Sequence, residues 1–557
     1  MKRFLWLGFV LFLYVICTGC GDTFRPIIIP NPPTFPNPKA AHTVLAINDN
    51  GTVVRGSAMV IDVSGDTDMS VANVGLAPVH AVQQTASQVL VVNHSVTGAV
   101  ADSITKLSFN SVIISGTTTI SLPANSAPNF VATTESSQAY VLLPSYVPDP
   151  INYPTVVVPS FGVVNTLSNN LVAIVPLSGN PGANPVAMAE TPNTQKLYVA
   201  NQGDSTISGF NTVGQSQRNG SPVHTSSPPI WLVARNDSQR VYVLEQTSGV
   251  LASIDTTATA GPDPLTEYPT INVPGATMMV YDSNLNRLYI PGGKQLLIVD
   301  VSQSTPQPLP AIPIPQVPDL PSAVDAFAVA VAALPDGSRA YVTSVPSSAQ
   351  SSQVSISAVQ GDGTTATYTY TWTGGHDLTP GIAVAVSGIA SPNDGFNGTY
   401  AITAVSGTSC DQPTQVCTFQ AANSTVLKTQ TPVIGLASST IDNLFPQVSV
   451  VNVSSNSITK TIGIPGFPDA TVVGSPYYAA VCVPPTTFRS TFRYMMAAGG
   501  DSTRAYLSSC DGGNVNIIDT STDSYILNLP APVGTRPPIQ PNPQNLPQNP
   551  VFLIAGP

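Results

Sequence analysis

Short stretches in which apolar and polar residues alternate recur along most of the chain, and they predict β-strands. Apolar residues at every second position put one side of an extended strand against a core, whereas a helix would need them at i, i+3, i+4 and i+7. The plainest stretch, NPVAMAETPNTQKLYVANQGDSTISGFNT at residues 184–212, predicts three strands joined by two polar turns. The pattern therefore indicates an all-β fold.

This three-strand unit repeats, and its second strand usually contains a Tyr. The copies centre on Val91, Tyr140, Tyr198, Tyr242, Tyr289, Tyr341 and Tyr506, the first two being looser than the rest. Successive steps from Tyr198 to Tyr341 are 44, 47 and 52 residues, close to the period of about 40–50 residues typical of propeller blades. In several copies an Asp or Asn follows the Tyr by 13 residues, a distance that fits two strands and a hairpin turn.

The two ends of the chain supply complementary parts of one further unit. Residues 42–75 contain a second, third and fourth strand without a first, and residues 549–557, NPVFLIAGP, look like a first strand alone. Together they complete a unit centred on Leu45 and avoid the exposed strand edges of an open array. The prediction is a β-propeller of eight four-stranded blades closed by the N- and C-terminal strands. Seven blades remain the alternative, if one looser copy is not a blade.

A long gap in the repeat indicates an insertion. Tyr341 and Tyr506 are 165 residues apart, roughly three periods, yet the motifs of a single unit are visible between them. Residues 358–440 hold strand-like runs such as YTYTW and IAVAVSGI and predict a small inserted β module, either a sandwich or a partly open barrel. The propeller would then occupy residues 42–357 and 441–557.

The N-terminus has the layout of an export signal. Two basic residues precede the apolar run Phe4–Cys17, which is shorter than the roughly 20 residues that a membrane span needs. The segment CTGC resembles the bacterial lipobox, and the resemblance implies that residues 1–19 are removed and that Cys20 carries lipid. In such lipoproteins Gly21 in place of an Asp after the Cys implies the outer membrane. The alternatives are a secretory signal cut near Gly19, which gives a secreted protein, and a retained transmembrane helix.

Composition supports an exported, folded protein on a tether. Residues 20–41 are rich in proline and predict an extended spacer. Charged residues make up 9% of the chain and apolar residues 42%, enough to build a core. The formal net charge of −11 offers no positive surface to a phosphate backbone, so no nucleic acid is expected as a partner.

The segments KLYVANQGDSTISGFNT and RAYLSSCDGGNVNIIDTSTDSYILNL resemble the bacterial YVTN-type β-propeller repeat, in which a Tyr-Val-Thr-Asn strand precedes an Ile-Asp-x-x-Thr/Ser turn. The resemblance covers about residues 42–557 apart from the insertion. It implies a propeller lipoprotein and leaves the activity open, because such folds carry unrelated functions.

Cysteine and histidine residues are the remaining candidates for chemistry. Besides Cys17 and Cys20, four cysteines remain, and in an oxidising compartment their even number favours two disulfides, Cys410 with Cys417 and Cys482 with Cys510, over four free thiols. The five histidines are scattered along the chain; they are His42, His80, His94, His224 and His376. His94 could reach a loop face and His376 lies beside Asp377 in the inserted module, and both are expected to be solvated loop residues. No motif for nucleophilic catalysis, a phosphate-binding loop or a zinc protease is present, so no cofactor is predicted.

A short polar motif closes most units, an Asp or Asn followed within two positions by Ser or Thr. Such a side chain bonds the backbone two residues ahead and ends a strand in a tight turn. The alternative, a ring of metal-binding carboxylates, would require these residues to meet at the axis. They are Asp62, Asn165, Asn211, Asp255, Asp300, Asn452 and Asp519.

Two functions remain open on this evidence. The first is a non-catalytic binding or scaffold protein of the cell envelope, held on the membrane by lipid on Cys20 and contacting an envelope protein or a polysaccharide. The second is a propeller hydrolase of lactonase type, with a divalent metal at the mouth of its channel. Converging acidic side chains at that mouth would favour the second.

Overall fold

The computed structural model describes residues 43–95, 101–110, 112–134, 137–177, 182–246, 249–316, 326–372, 378, 380, 382–407, 410, 415–428, 434–471, 477–483, 492–534 and 546–556, with residues 347–352 and 440–442 described by their backbone alone. Strands dominate these residues. The helical elements described are three single 3-10 turns, Val213–Gln215, Asp394–Phe396 and Ala480–Cys482.

Eight antiparallel sheets, each with four successive strands, form the blades of a propeller, which confirms the predicted fold class and the count of eight. We number the blades from the N-terminus and give their strands from the innermost outward. Blade 1 is Asn549–Ala555, Thr43–Asp49, Arg55–Asp62 and Thr67–Leu76; blade 2 is Pro78–Thr85, Gln88–Asn93, Ser103–Asn110 and Ile113–Ser121; blade 3 is Val131–Ala132, Gln138–Leu143, Ser160–Asn165 and Asn170–Pro176; blade 4 is Pro185–Glu190, Lys196–Asn201, Thr206–Asn211 and Val223–His224. Blade 5 is Pro229–Ala234, Arg240–Glu245, Val250–Asp255 and Leu265–Asn272; blade 6 is Val280–Asp282, Arg287–Gly292, Gln295–Asp300 and Gln307–Pro308, with Ile312–Pro313 also paired to its third strand; blade 7 is Ala328–Ala333, Arg339–Ser344, Gln447–Asn452 and Ser457–Gly463; blade 8 is Tyr494–Ala498, Arg504–Ser509, Asn514–Asp519 and Ser524–Pro530.

The two chain ends meet in blade 1. The C-terminal strand Asn549–Ala555 is its innermost strand and pairs antiparallel with Thr43–Asp49, so that Leu45 lies opposite Ile554. The same C-terminal strand contacts the inner strands of blades 2 and 8. The ring therefore closes through the strand that the sequence predicted.

The antiparallel strands give the ring two distinct faces. Turns from the first to the second strand and from the third to the fourth lie on one side, which we call the lower face. Turns from the second to the third strand, and the connections between blades, lie on the other side, the upper face. The chain enters the described structure on the lower face, since Thr43 pairs with Asp62 at the end of a third strand.

The middle strands of the blades are buried on both sides. In Lys196–Asn201 every residue is buried, whereas the outer strand of blade 3, Asn170–Pro176, alternates between half-buried and exposed. Blades stack face to face, so a middle strand needs apolar residues on both sides, in the manner of a sheet covered by two layers. The recurrent Tyr residues, Tyr140, Tyr198, Tyr242, Tyr289, Tyr341 and Tyr506, are all almost fully buried in these layers.

The inserted module is a six-stranded closed barrel. In chain order its strands are Ser347–Gly361, Thr365–Trp372, Ala383–Ser387, Gly398–Ser406, Val416–Ala422 and Gly435–Leu444. The first strand pairs with both the second and the sixth, which completes the closure. Its interior is filled by side chains such as Tyr368, Tyr370 and Phe419. The barrel takes in more of the chain than residues 358–440, because the first and last strands begin pairing directly beside blade 7.

Among the described residues, a cationic side chain in each of five blades joins that blade to the next through a backbone oxygen. Lys106 of blade 2 donates to the carbonyl oxygen of Thr166 in blade 3 at 2.9 Å, and Arg287 of blade 6 donates to that of Val453 in blade 7 at 3.0 Å. Equivalent contacts are Lys196 to Thr256, Arg235 to Val301 and Arg339 to Thr520. Each acceptor directly follows the Asp or Asn that closes a third strand. We call these contacts the inter-blade clasps.

Ring closure uses a stronger form of the same contact. The guanidinium of Arg504 in blade 8 donates to both carboxylate oxygens of Asp66 in blade 1, at 2.8 and 2.9 Å, and to Asp519 at 3.2 Å. Its side chain is 1% exposed. A bidentate pair of this kind fixes orientation as well as distance, so it holds the first and last blades in register.

Candidate functional site: the axial channel

Five aromatic rings meet at the axis of the propeller. They are His80 of blade 2, Phe130 before blade 3, Trp231 of blade 5, Phe492 before blade 8 and Phe552 of blade 1. Around the circle the centroid distances from each ring to the next are 3.9, 5.9, 5.6, 5.9 and 4.6 Å. Rings from blades on opposite sides of a propeller can touch only at its axis. We call this set the aromatic plug.

The plug closes the channel near the upper face. Inner strands start at the upper face, and the plug residues lie at or just before the starts of theirs, apart from Phe552 in mid-strand. His80 and the three Phe side chains are each at most 7% exposed, and Trp231 is half-buried. Edge-to-face and stacked rings at these separations attract one another in addition to burying area. The place where a propeller enzyme would present polar groups is therefore filled by apolar rings.

His80 takes part in the plug as a neutral ring. Burial lowers its pKa from 6.5 to about 3. Its Nδ1 accepts a hydrogen bond from the backbone N–H of Val131 at 3.4 Å, so Nδ1 carries no proton in this arrangement. His80 thus packs as a core residue.

The long connection between blades 7 and 8 carries Phe492, and its described residues Ala479 and Cys482 belong to the same packed cluster. The disulfide between Cys482 and Cys510 ties this connection to the upper-face turn of blade 8, as the sequence suggested for that pair. Asn549, at the start of the C-terminal strand, donates from its side-chain amide to the carbonyl oxygen of Cys510 at 2.6 Å. The connection is therefore bonded to blade 8 and contacts the strand that closes the ring.

A buried carboxylate fixes the same connection from within. Asp511 accepts hydrogen bonds from the backbone N–H of Ala470 at 2.9 Å, from the Tyr494 hydroxyl at 2.8 Å and from two nitrogens of Arg493. Arg493 also pairs with Asp469 at 2.7 Å. Burial raises the pKa of Tyr494 well above 10, and the charge of Asp511 adds to the shift, so this hydroxyl stays a hydrogen-bond donor. These hydrogen bonds and ion pairs stabilise the connection between blades 7 and 8, because the polar atoms of the group are paired with one another.

The other cysteines lie away from the channel. Cys410 and Cys417 form a disulfide that closes the loop between the fourth and fifth barrel strands, again as suggested. Gly407 allows it, because its φ of 139° favours glycine and a Cβ there would collide with both sulfur atoms. Cys20, the predicted lipidation site, lies outside the described residues.

Among the remaining histidines, His94 has a defined partner. Its Nδ1 lies 3.2 Å from a carboxylate oxygen of the buried Asp102, on an upper-face loop of blade 2. Asp102 also accepts from the backbone N–H groups of Ser95 and Ala127. His224 is exposed on the outer strand of blade 4. His42 and His376 lie outside the described residues.

The residues that close the third strands lie at the lower rim, away from the axis. The backbone N–H two positions ahead donates to the side-chain oxygen at 2.8–3.0 Å after Asp62, Asn165, Asp255, Asp300, Asn452 and Asp519. Asn211 differs, since its side chain bonds Ser216 and Arg218 across a wider turn. These side chains end strands, as the turn interpretation expected.

Two buried glutamates stand out by their titration. Burial raises the pKa of Glu190, in the inner strand of blade 4, to about 7. Burial also raises the pKa of Glu245, whose carboxylate accepts hydrogen bonds from Ser226 and Ser227. Within the described ranges, no three His, Cys, Asp or Glu side chains come together as a set that could hold a metal ion.

The sequence did not reveal the aromatic plug. Its members belong to different repeat units, and no fixed spacing connects them. The available signal was a large aromatic residue at the start of a first strand in some units, where other units have Ala or Val. Only the ring geometry turns this into a cluster.

The fold defines the chain as an eight-bladed β-propeller with a closed axial channel. No protein-family model matches the chain, and no curated protein matches it. Apo AztD from Citrobacter koseri is 9% identical over 92% of this chain and 98% of its own, with a TM-score of 0.49. The periplasmic gluconolactonase PpgL of Pseudomonas aeruginosa is 13% identical over 54% of this chain and 90% of its own, with a TM-score of 0.39. A putative 6-phosphogluconolactonase from Bacteroides fragilis is 13% identical over 55% and 89%, with a TM-score of 0.38.

These similarities concern the general propeller architecture. In the part of the chain that the structure describes, no helix is both long and apolar enough to cross a bilayer. The two disulfides are compatible with an oxidising, extracytoplasmic compartment.

Proposed function

We propose that the protein is a lipid-anchored β-propeller of the cell envelope that acts as a non-catalytic binding or scaffold protein. It belongs to the YVTN-type repeat lipoproteins by the resemblance of its repeats and of its CTGC segment. The body, joined to Cys20 by the proline-rich tether, presents its surface and its barrel to an envelope protein or a polysaccharide at the outer membrane.

The aromatic plug is the observation that carries this proposal. A lactonase-type propeller would need acidic or amide side chains converging at the mouth of the channel. At that place Phe130, Trp231, Phe492 and their neighbours pack against each other and against a neutral His80. The connection that carries Phe492 is held to blade 8 by a disulfide and by hydrogen bonds to Asp511. Binding is then left to the outer surfaces and to the barrel.

The barrel supports a scaffold role. It is inserted on the upper face, between the second and third strands of blade 7, and it has its own filled core. The outward side chains of its strand Thr365–Trp372 include Thr367, Thr369 and Thr371, which are uncharged and can hydrogen-bond. A rigid module with such a surface fits a hydroxyl-rich partner such as a polysaccharide.

Two measurements on the exported protein test the proposal. Intact mass should show loss of residues 1–19 and a gain for thioether-linked diacylglycerol and an acyl chain at Cys20, and Cys20→Ser should abolish that gain and release the protein from membranes. A panel of lactones with Mg²⁺, Ca²⁺, Mn²⁺ or Zn²⁺ should show no metal-dependent turnover. An unmodified Cys20 in membrane-free protein would contradict the anchor, and metal-dependent lactone opening would contradict the binding role.

A further inference from the structure

One turn position on the lower face differs systematically between the blades. It is the residue two positions after the Asp or Asn that closes each third strand. In five blades it is hydroxylic, namely Ser64, Thr257, Ser302, Ser454 and Ser521 in blades 1, 5, 6, 7 and 8. In the three consecutive blades 2, 3 and 4 it is apolar, namely Val112, Leu167 and Val213.

Two of these three apolar side chains point into solvent. Leu167 is 78% exposed and Val213 is 86% exposed, while Val112 is half-buried beside the exposed Ile113. Single exposed apolar residues are ordinary on protein surfaces. Here they occupy one repeat position in three adjacent blades, and we call Val112, Ile113, Leu167 and Val213 the apolar sector.

The charges on the lower face follow the same division. In blades 5, 7 and 8 the first lower-face turn carries an acid, namely Asp237, Asp336 and Asp501, and in blade 6 Asp282 stands at the same turn but is buried. Among the residues that the structure describes in the lower-face turns of blades 2 to 4, the buried Arg218 is the one charged residue. Their third strands close with Asn110, Asn165 and Asn211, whereas those of blades 1, 5, 6 and 8 close with Asp. The apolar sector is thus also the uncharged part of an acidic protein.

The N-terminal tether joins the body on the same face. The first described residue, Thr43, lies opposite Asp62 at the lower rim of blade 1, next to blade 2. The chain that connects it to Cys20 is 22 residues long, enough to span tens of ångströms when extended. Lipid attached to Cys20 would therefore bring a bilayer toward this face.

We propose that the apolar sector rests on the phospholipid surface to which the protein is anchored, with the ring tilted so that blades 2 to 4 lie nearest the lipid. The inference rests on the proposed lipid anchor. Leu167 and Val213 enter the interfacial region, and uncharged turns around them approach anionic headgroups without repulsion. The acidic turns of blades 5 to 8 lie farther from the membrane.

The opposite face offers a competing apolar surface. Ile151, Tyr153 and Val156 are exposed on the upper-face loop of blade 3. Asp149 in that loop is half-buried, and hydrogen bonds from Asn152 lower its pKa, so it carries a negative charge next to these side chains. The tether joins the other face. This loop therefore serves as the control surface in the test.

Site-specific fluorescence on vesicles tests the orientation. The mature chain, with a hexahistidine tag in place of Cys20, is held on vesicles of phosphatidylethanolamine, phosphatidylglycerol and a nickel-chelating lipid. Its four remaining cysteines form the two disulfides, so one added cysteine can carry a bimane label. Labels at Leu167→Cys and Val213→Cys are compared with the equivalent position Ser302→Cys in blade 6 and with Ile151→Cys on the upper face.

We expect the labels at 167 and 213 to shift to shorter wavelength on vesicles and to be quenched by brominated lipid at least about twofold more strongly than the label at 302. Equal, water-like emission at 167, 213 and 302 would overturn the proposal, and so would a shift confined to 151. The artificial anchor separates the outcomes, because failure of lipidation at Cys20 would appear in the intact mass and not in this experiment.

A matched variant tests the side chains themselves. Leu167→Ser with Val213→Ser places at both positions the residue that most other blades use, so folding should be retained and can be checked by thermal unfolding. With the label at Ile113→Cys, this variant should lose most of the blue shift and the quenching. An unchanged signal would mean that the apolar side chains do not hold the face on the lipid, and it would overturn the proposal.

Discussion

Removal of the Arg504 side chain should weaken the closure of the ring more than any comparable surface change. Arg504→Ala deletes two charge-assisted hydrogen bonds to Asp66 and one to Asp519. Breaking a buried ion pair costs about 3–5 kcal/mol, because the partner is left without compensation. Here Asp66 and Asp519 are 12% and 15% exposed and can be partly rehydrated, so we expect a loss of about 3 kcal/mol.

Urea unfolding followed by tryptophan fluorescence measures this loss at constant ionic strength, since urea does not screen ion pairs. Arg55→Ala, at an exposed arginine in blade 1, is the control and should change the free energy of unfolding by less than about 0.5 kcal/mol. A double-mutant cycle with Asp66→Ala should give a coupling of about 2 kcal/mol. If Arg504→Ala costs no more than Arg55→Ala, the ion pair does not hold blades 8 and 1 together.

Three further predictions concern the stability of the body and use the same unfolding measurement. Because burial lowers the pKa of His80 to about 3, the unfolded chain binds a proton at His80 below pH 6.5 and the folded chain does not. The free energy of unfolding should therefore fall by about 1.4 kcal/mol per pH unit as pH drops from 6.5 toward 3. The variant His80→Phe should remove this slope. Glu190 has the opposite pH dependence, because burial raises its pKa to about 7. The free energy of unfolding should fall as pH rises from 4.5 to 7. At pH 8 the variant Glu190→Gln should be more stable than the parent by up to about 3 kcal/mol, and at pH 4 this gain should be absent. Replacement of Cys482 and Cys510 by Ser should lower the free energy of unfolding by about 2–4 kcal/mol. A change near zero would show that the connection between blades 7 and 8 is held in place without the disulfide.

Ring closure was predictable because the sequence marks both halves of blade 1. The N-terminal unit lacks a first strand and the C-terminal strand has no unit of its own, and the structure pairs Leu45 with Ile554. The blade count followed from the spacing of the buried Tyr residues, whose alternating neighbours are constrained by packing on both sides. Local pattern is informative here because each blade is built from residues close in sequence.

The inter-blade clasps could not be predicted in the same way. Their donors, such as Lys196 and Arg339, occupy repeat positions that the sequence displays, but their acceptors are backbone carbonyls, which every residue has. The barrel is similar, since the first half of Ser347–Gly361 shows no apolar alternation. Its pairing with Gly435–Leu444 comes from closure of the barrel and not from a local pattern.

The aromatic plug depends on contacts between residues that lie from 50 to 472 positions apart in the sequence. His80 meets Phe552 because the chain ends close the ring, and Trp231 meets Phe492 because blades 5 and 8 face each other across the axis. Each residue alone looks like an ordinary core aromatic. The candidate site was therefore the part of the molecule least accessible to sequence reasoning.

Shielding of Trp231 tests the central claim, a channel closed by packed aromatic rings, most directly. In the mature protein without residues 1–19, Trp372→Phe leaves Trp231 as the sole tryptophan. Because Trp231 is half-buried in the plug, its emission should be blue-shifted and its quenching by acrylamide should be several-fold weaker than in the urea-unfolded protein. Emission and quenching equal to those of the unfolded chain would show an open, water-filled channel and would contradict the account.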